Sequence, residues 1–157
     1  MGSPLPKMTL AAFLEWENAQ IEKHEFVSGE VFAMVGGRRV HGAVLLNAAS
    51  SLKQQLRGTP CRVFADSMKL QIGQDIFYPD VFVTCDPGDL RTEQIFSAPK
   101  LIVEVLSPST EGYDRGLKFS LYRALPSLAE YLLVHPDTRE ASLFRRGADG
   151  LFTLHDF

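Results

Sequence analysis

Apolar residues change their spacing several times along the chain, and each change predicts an element. Leu10, Phe13 and Leu14 recur at helical spacing with Thr9 ahead of them as an N-cap and Trp16 beside the stripe, so a short helix is expected to end near Ala19. Glu25-Phe26-Val27 and Glu30 to Val35 read as strands joined at Ser28-Gly29, a dipeptide suited to a two-residue hairpin turn. Beyond Gly36-Gly37, the residues Val40, Val44, Leu45, Ala48, Leu52 and Leu56 return to helical spacing until Gly58-Thr59-Pro60, which makes this the longest predicted helix. Short β-rich runs follow at residues 62–65, 68–72, 81–84 and 100–106. Residues 113–125 are helical through Leu117, Leu121 and Tyr122, and Pro126 closes them. Residues 130–134, 141–145 and 151–154 are strands around turns at Pro136-Asp137 and Asp149-Gly150. This alternation predicts an α/β fold, a mixed central β-sheet flanked by helices.

Composition narrows the picture. At 157 residues, 45% hydrophobic and 22% charged, the chain can bury one sizeable core, so residues 9–157 are read as one domain behind a disordered or artificial lead at 1–8. The chain stops at Phe157 just after a strand, and the natural protein is expected to continue further. Sixteen basic against nineteen acidic residues give a net charge of −3, which excludes a broad basic footprint and confines any nucleic-acid contact to a local patch. No run approaches the length of a membrane span and Met1-Gly2-Ser3-Pro4 has no signal-peptide character, so a cytoplasmic protein without a membrane partner is expected. Cys61 and Cys85 lack Cys-x-x-Cys spacing and read as reduced core thiols, not as zinc ligands.

Two carboxylates sit where carboxylates are expensive. Glu104 lies inside Leu101-Ile102-Val103 and Val105-Leu106, a continuous apolar run of the kind found in strands covered on both faces. An unpaired charge there would take up a proton, whereas a divalent cation favours the ionised form; a buried ion pair to a Lys or Arg is the alternative. Asp80 follows Pro79 at the start of Val81-Phe82-Val83, which puts the acid at a strand end, either as a ligand or as a turn residue. Two hard oxygen ligands suit Mg²⁺ or Mn²⁺, which retain several waters and can take a substrate phosphate oxygen.

Tyr78-Pro79-Asp80-Val81, then Leu101 to Leu106 with its central Glu104, then Ser107-Pro108-Ser109-Thr110 and Asp114-Arg115-Gly116 with Lys118, form a specific combination. With His24 to Glu30, Gly37 to His41 and Ala129 to Val134, it resembles the Uma-type putative restriction endonuclease family of bacteria, within the PD-(D/E)XK nuclease superfamily. The match covers nearly the whole chain. It implies a restriction-endonuclease-like fold and Mg²⁺- or Mn²⁺-dependent hydrolysis of DNA phosphodiesters, with Asp80 and Glu104 as metal ligands. A strict Glu-x-Lys would put lysine at position 106, where this chain has Leu106. The resemblance implies that Lys118, on the following helix, takes over, with Lys69 as competitor. It also implies an early acid for a second metal or water: Glu30 is preferred over Glu25. By the same analogy a homodimer would cut both strands.

The remaining polar residues have weaker assignments. His41, Arg38 and Lys69 are candidates for phosphate or outer-shell contacts, each with a plain surface role as the alternative. Ser107-Pro108-Ser109-Thr110 reads as a strand-to-helix turn with Ser109 or Thr110 as cap. Two other functions stay open: a nuclease-like binding module that has lost cutting, favoured by Leu106, and a hydrolase of a small phosphorylated substrate, favoured by the net charge of −3.

Overall fold

A computed structural model of the chain describes residues 7–34 and 36–157; residues 1–6 of the lead expected at 1–8, and Val35, the predicted end of the second strand, lie outside the described residues. The first helix, α1 (Leu10–Asn18), starts as predicted, with Thr9 Oγ1 accepting the Ala12 N–H at 3.2 Å. The hairpin β1 (His24–Val27) and β2 (Glu30–Ala33) turns through Ser28 and Gly29 at φ 52° and 81°, the paired left-handed geometry that matches the twist of the flanking strands. Then come α2 (Arg39–Gln55), β3 (Arg62–Ala65), β4 (Lys69–Ile72), β5 (Asp75–Phe77), β6 (Val81–Thr84), β7 (Ile95–Phe96) and β8 (Pro99–Val105). The last part holds α3 (Glu111–Arg115), α4 (Leu117–Tyr122), β9 (Glu130–His135), β10 (Glu140–Arg146) and β11 (Phe152–Asp156).

The predicted helix at 113–125 is broken. Gly116 adopts φ −98° and ψ −95°, and a Cβ there would lie 2.9 Å from the Gly112 carbonyl oxygen, so the chain can make this tight step only without a side chain. The break turns α4 so that Phe119 and Tyr122 enter the core.

The strands form two mixed sheets where the sequence suggested one, ordered β2-β1-β5-β4-β7 and β11-β10-β9-β8-β6-β3. β5 and β7 were not predicted, because three and two residues are too few to show a period. The main core lies between the sheets: Val27, Leu70, Phe77 and Phe96 from the first meet Phe82, Ile102, Tyr131 and Leu133 from the second, with Phe119 and Tyr122 from α4. A second cluster of Phe13, Phe26, Val31, Ile76 and Tyr78 packs α1 on the outer face of the first sheet. β8 sits inside the six-stranded sheet, antiparallel to β6 and parallel to β9, and the β8-to-β9 crossover carries α3 and α4. α2 packs on β3, β6 and β8.

One reading from composition is corrected. Cys61 and Cys85 are not separate thiols but a disulfide. The β3–β6 register pairs Arg62 with Thr84, so the next position outward sets Cys61 opposite Cys85, with Cα atoms 4.1 Å apart. Sequence spacing carries no trace of that register. Among the described residues no helix is long and apolar enough to cross a membrane.

Candidate active site

The site is built where the two sheets meet. β6 and β8 are antiparallel with Val81 opposite Val103, so Asp80, one residue before β6, comes beside Glu104 near the end of β8. Alternation along β1 sends Phe26 outward to α1 and turns Glu25 and Val27 toward the seam. The crossover then lays Asp114 of α3 and Lys118 of α4 over the same spot. Glu25, Asp80, Glu104, Asp114 and Lys118 are all buried, and the lysine is only 4% exposed.

Lys118 Nζ lies 3.3 Å from Glu104 Oε1, 3.4 Å from Glu25 Oε2 and 3.5 Å from Asp114 Oδ1. Tyr122 Oη donates to the same Glu104 oxygen at 3.1 Å, and Tyr113 Oη donates to Glu25 Oε1 at 3.3 Å. Backbone groups fix two of the acids: the Val105 N–H donates to Asp80 Oδ2 at 2.7 Å, and the Tyr78 N–H donates to Glu25 Oε2 at 2.9 Å. His41, in the first turn of α2, brings Nε2 to 3.5 Å from Asp80 Oδ2. Its ring leans on Gly37, where a Cβ would stand 2.9 Å from Nδ1.

Four buried carboxylates around one buried ammonium leave an excess of negative charge, and proton affinities report it. Burial pushes the Glu104 carboxyl well above its usual range; Lys118 opposes this, and Asp80, Asp114 and Glu25 add to it. Burial likewise raises Asp114 to about 6, against the pull of Lys118. For Lys118, burial favours the neutral amine, but Glu104, Glu25 and Asp114 together outweigh it and the ammonium is held more firmly than in water. His41 is raised by its hydrogen bond to Asp80, partly offset by burial.

A divalent cation would relieve the same excess. Asp80 Oδ1 and Glu104 Oε2 accept no hydrogen bond from any described residue, while their partner oxygens are taken by Val105 and by Lys118 and Tyr122. Among the described residues no three His, Cys, Asp or Glu side chains group to hold a metal by themselves. A two-carboxylate site fits Mg²⁺, which is commonly bound through one or two carboxylates and keeps its waters.

Of the residues singled out from sequence, Asp80, Glu104, Lys118 and His41 come together; Glu30, Lys69 and Arg38 do not. Glu30 pairs with Val27 at the hairpin tip, two residues or about 7 Å along the strand from the Glu25 position, and it is exposed. Glu25, the alternative acid, occupies the cluster. Lys69 stands instead over the ring of Tyr78, and Arg38 ion-pairs with Asp137 outside the cluster. Asp114, Tyr113 and Tyr122 were missed as site residues. The four-residue spacing of Asp114 and Lys118 was the available signal for the first. Thr110 is the N-cap residue of α3, but its hydroxyl bonds back to Ser107 and makes no cap bond.

The chain is similar to known proteins over most of its length. The Uma2 family, described as "Putative restriction endonuclease", matches residues 10–157. An uncharacterized protein of Synechocystis sp., slr1290, is 42% identical over 151 residues, covering 95% of this chain and 80% of its own length. A second Synechocystis protein, sll1609, also uncharacterized, is 34% identical over 131 residues, 81% of this chain and 74% of its own. Among solved structures, one described as a putative nuclease belonging to DUF820 from Anabaena variabilis superposes with a TM-score of 0.79 over 96% of this chain and 84% of that one. At 18% identity, that likeness establishes a shared fold.

Proposed function

The chain belongs to the Uma2 putative restriction endonuclease family, and from that membership together with the cluster we propose that it is an endonuclease that hydrolyses DNA phosphodiesters with Mg²⁺ or Mn²⁺, by PD-(D/E)XK-type chemistry. The observation that carries the reading is the pairing of Asp80 and Glu104 on adjacent strand ends, each with one oxygen free, and a buried ammonium 3.3 Å from Glu104.

Asp80 and Glu104 would hold the cation, and when bound it supplies Lewis acidity toward a phosphate oxygen and a water acidic enough to be deprotonated near neutral pH. Lys118, held among Glu104, Glu25 and Asp114, acts through its charge: it favours the ionised form of Glu104 and offsets the negative charge that builds on the phosphorus oxygens. The water gives one proton to solvent and its oxygen bonds to phosphorus as the P–O bond to the leaving sugar oxygen breaks; that oxygen takes up a proton from solvent in return. Glu25, and not Glu30, is the early acid at the cluster, and in place of the second-metal or water role that the resemblance implied it holds Lys118 from the first sheet. Asp114 does the same from α3. His41 steadies Asp80 at the entrance to the cluster.

The missing lysine at position 106 favoured a binding module without activity; the proximity of Lys118 to Glu104 supports cutting instead. For duplex cutting we propose a homodimer, because each strand requires its own site. The test is nicking and linearisation of supercoiled plasmid with Mg²⁺ or Mn²⁺. Wild type should cut, a chelator should stop it, and Asp80→Asn and Glu104→Gln should remove it. Wild type that neither cuts nor gains melting temperature on adding the metal would refute the reading and leave the binding module ahead.

A further inference from the structure

Tyr78, two residues before Asp80, lines a hollow of about 280 Å³ between the end of α1 and the start of β4. Its backbone N–H holds Glu25, while its ring packs with Phe13 and Phe26 under α1. Lys23 Nζ and Lys69 Nζ stand 5.7 Å and 5.6 Å from the centre of that ring, and both lysines line the hollow with Ser67 and Asn18.

We propose that this hollow is a second phosphate subsite, holding a backbone phosphate of the DNA strand whose scissile phosphate lies at Asp80 and Glu104. The inference rests on the endonuclease reading. Lys69 is half-buried, and among the described residues its ammonium has no carboxylate within ion-pair distance. An ammonium with an aromatic ring beside it and no carboxylate partner keeps its N–H donors for phosphate oxygens. Lys23 donates to the backbone oxygen and side chain of Asp66, the latter at 3.0 Å, which leaves one of its own donors. Asp66 in turn connects the hollow to the cluster, since its N–H donates to the Asp80 carbonyl at 2.9 Å. Asp66 holds φ 68°, a left-handed conformation that is strained for a residue with a side chain and persists where surroundings enforce it.

Two carboxylates, Glu17 and Glu22, share the lining, and neither ion-pairs with Lys69. Glu17 is buried and already accepts from the His24 N–H at 2.9 Å and bonds its ring Nδ1 at 3.0 Å. Glu22 is exposed on the rim. A net charge of −3 is compatible with a local DNA contact when one unpaired cation, Lys69, stands beside a paired one, Lys23.

The test is binding of a labelled duplex in chelator, where no cutting occurs, across a salt series, for wild type, Lys69→Gln, Lys69→Arg and, as a control at the opposite end of β8, Lys100→Gln. Loss of one phosphate contact should lower the salt slope by about 0.9 and weaken binding roughly eightfold at 0.1 M salt. Lys69→Gln is expected to show both, with KM for cleavage raised and kcat kept, while Lys69→Arg and Lys100→Gln stay near wild type. Equal affinity and slope for Lys69→Gln and Lys100→Gln would overturn the subsite. A wild type that cuts, with Lys69→Gln binding unchanged, removes the subsite and leaves the nuclease; a wild type that never cuts, with Lys69→Gln still binding less, removes the nuclease and leaves the subsite.

Discussion

Removing the ammonium of Lys118 would leave Glu25, Glu104 and Asp114 facing one another in a buried seam with no positive partner. Breaking a buried ion pair by deleting one side costs about 3–5 kcal/mol, because the remaining charge has lost its compensation but not its burial. For a domain of this size each kcal/mol is worth roughly 2–4 °C, so Lys118→Met, which keeps most of the volume, should melt about 6–20 °C lower at pH 7. The deficit should depend on pH in a definite direction. Asp114 has a folded pKa near 6, above its ordinary 3.8, so folding favours its protonated form. Such a group costs nothing below pH 4, loses stability as pH rises toward 6, and bears the full cost above that. Lys118 opposes the rise at both Asp114 and Glu104, so its loss pushes both acids higher still and extends the window upward. The melting difference between variant and wild type should therefore narrow as pH falls from 7 to 5, and Mg²⁺ should restore part of it at pH 7. Thermal melting by circular dichroism at pH 5, 6 and 7, with and without Mg²⁺, measures all three. A variant within 2 °C of wild type at pH 7, by this roughly estimated scale, or a deficit that widens on acidification, would refute the reasoning.

Three further outcomes follow from the geometry. Glu25→Gln should reduce plasmid cleavage by about 100-fold or more, as expected for a misplaced charge at a reacting centre, while Glu30→Gln should leave it unchanged; the reverse order would return the supporting acid to Glu30. Gly37→Ala would drive a methyl to 2.9 Å from His41 Nδ1 and displace the ring from Asp80, lowering kcat by up to about 100-fold with little change in melting temperature. Breaking the Cys61–Cys85 bond, which spans 24 residues, with Cys61→Ser should cost about 3.5 kcal/mol, seen as a melting temperature roughly 7–14 °C lower, with cleavage at 25 °C retained because the bond lies at the far end of α2 from His41.

The sequence by itself determined the elements long enough to show a period. The helical stripes of α1 and α2, the Ser28-Gly29 hairpin and the apolar run around Glu104 are local patterns, written within a few residues of one another. It also marked Asp80 and Glu104, because a carboxylate in an apolar strand and one at a strand entry stand out from their neighbours. The resemblance, and no periodicity, brought in Lys118. Tertiary structure decided the rest. Whether Glu25 or Glu30 reaches the cluster depends on how far the second sheet extends over the hairpin, and both are acids on the same short β1–β2 ribbon. Lys118 is buried only because Gly116 breaks the helix and turns α4 inward. Cys61 meets Cys85 through strand register, and Asp114 becomes a site residue through the β8-to-β9 crossover, which brings it to Lys118 and the cluster. Each of these is a contact between residues distant along the chain, set by how the two sheets share one core, and local spacing carries no record of that.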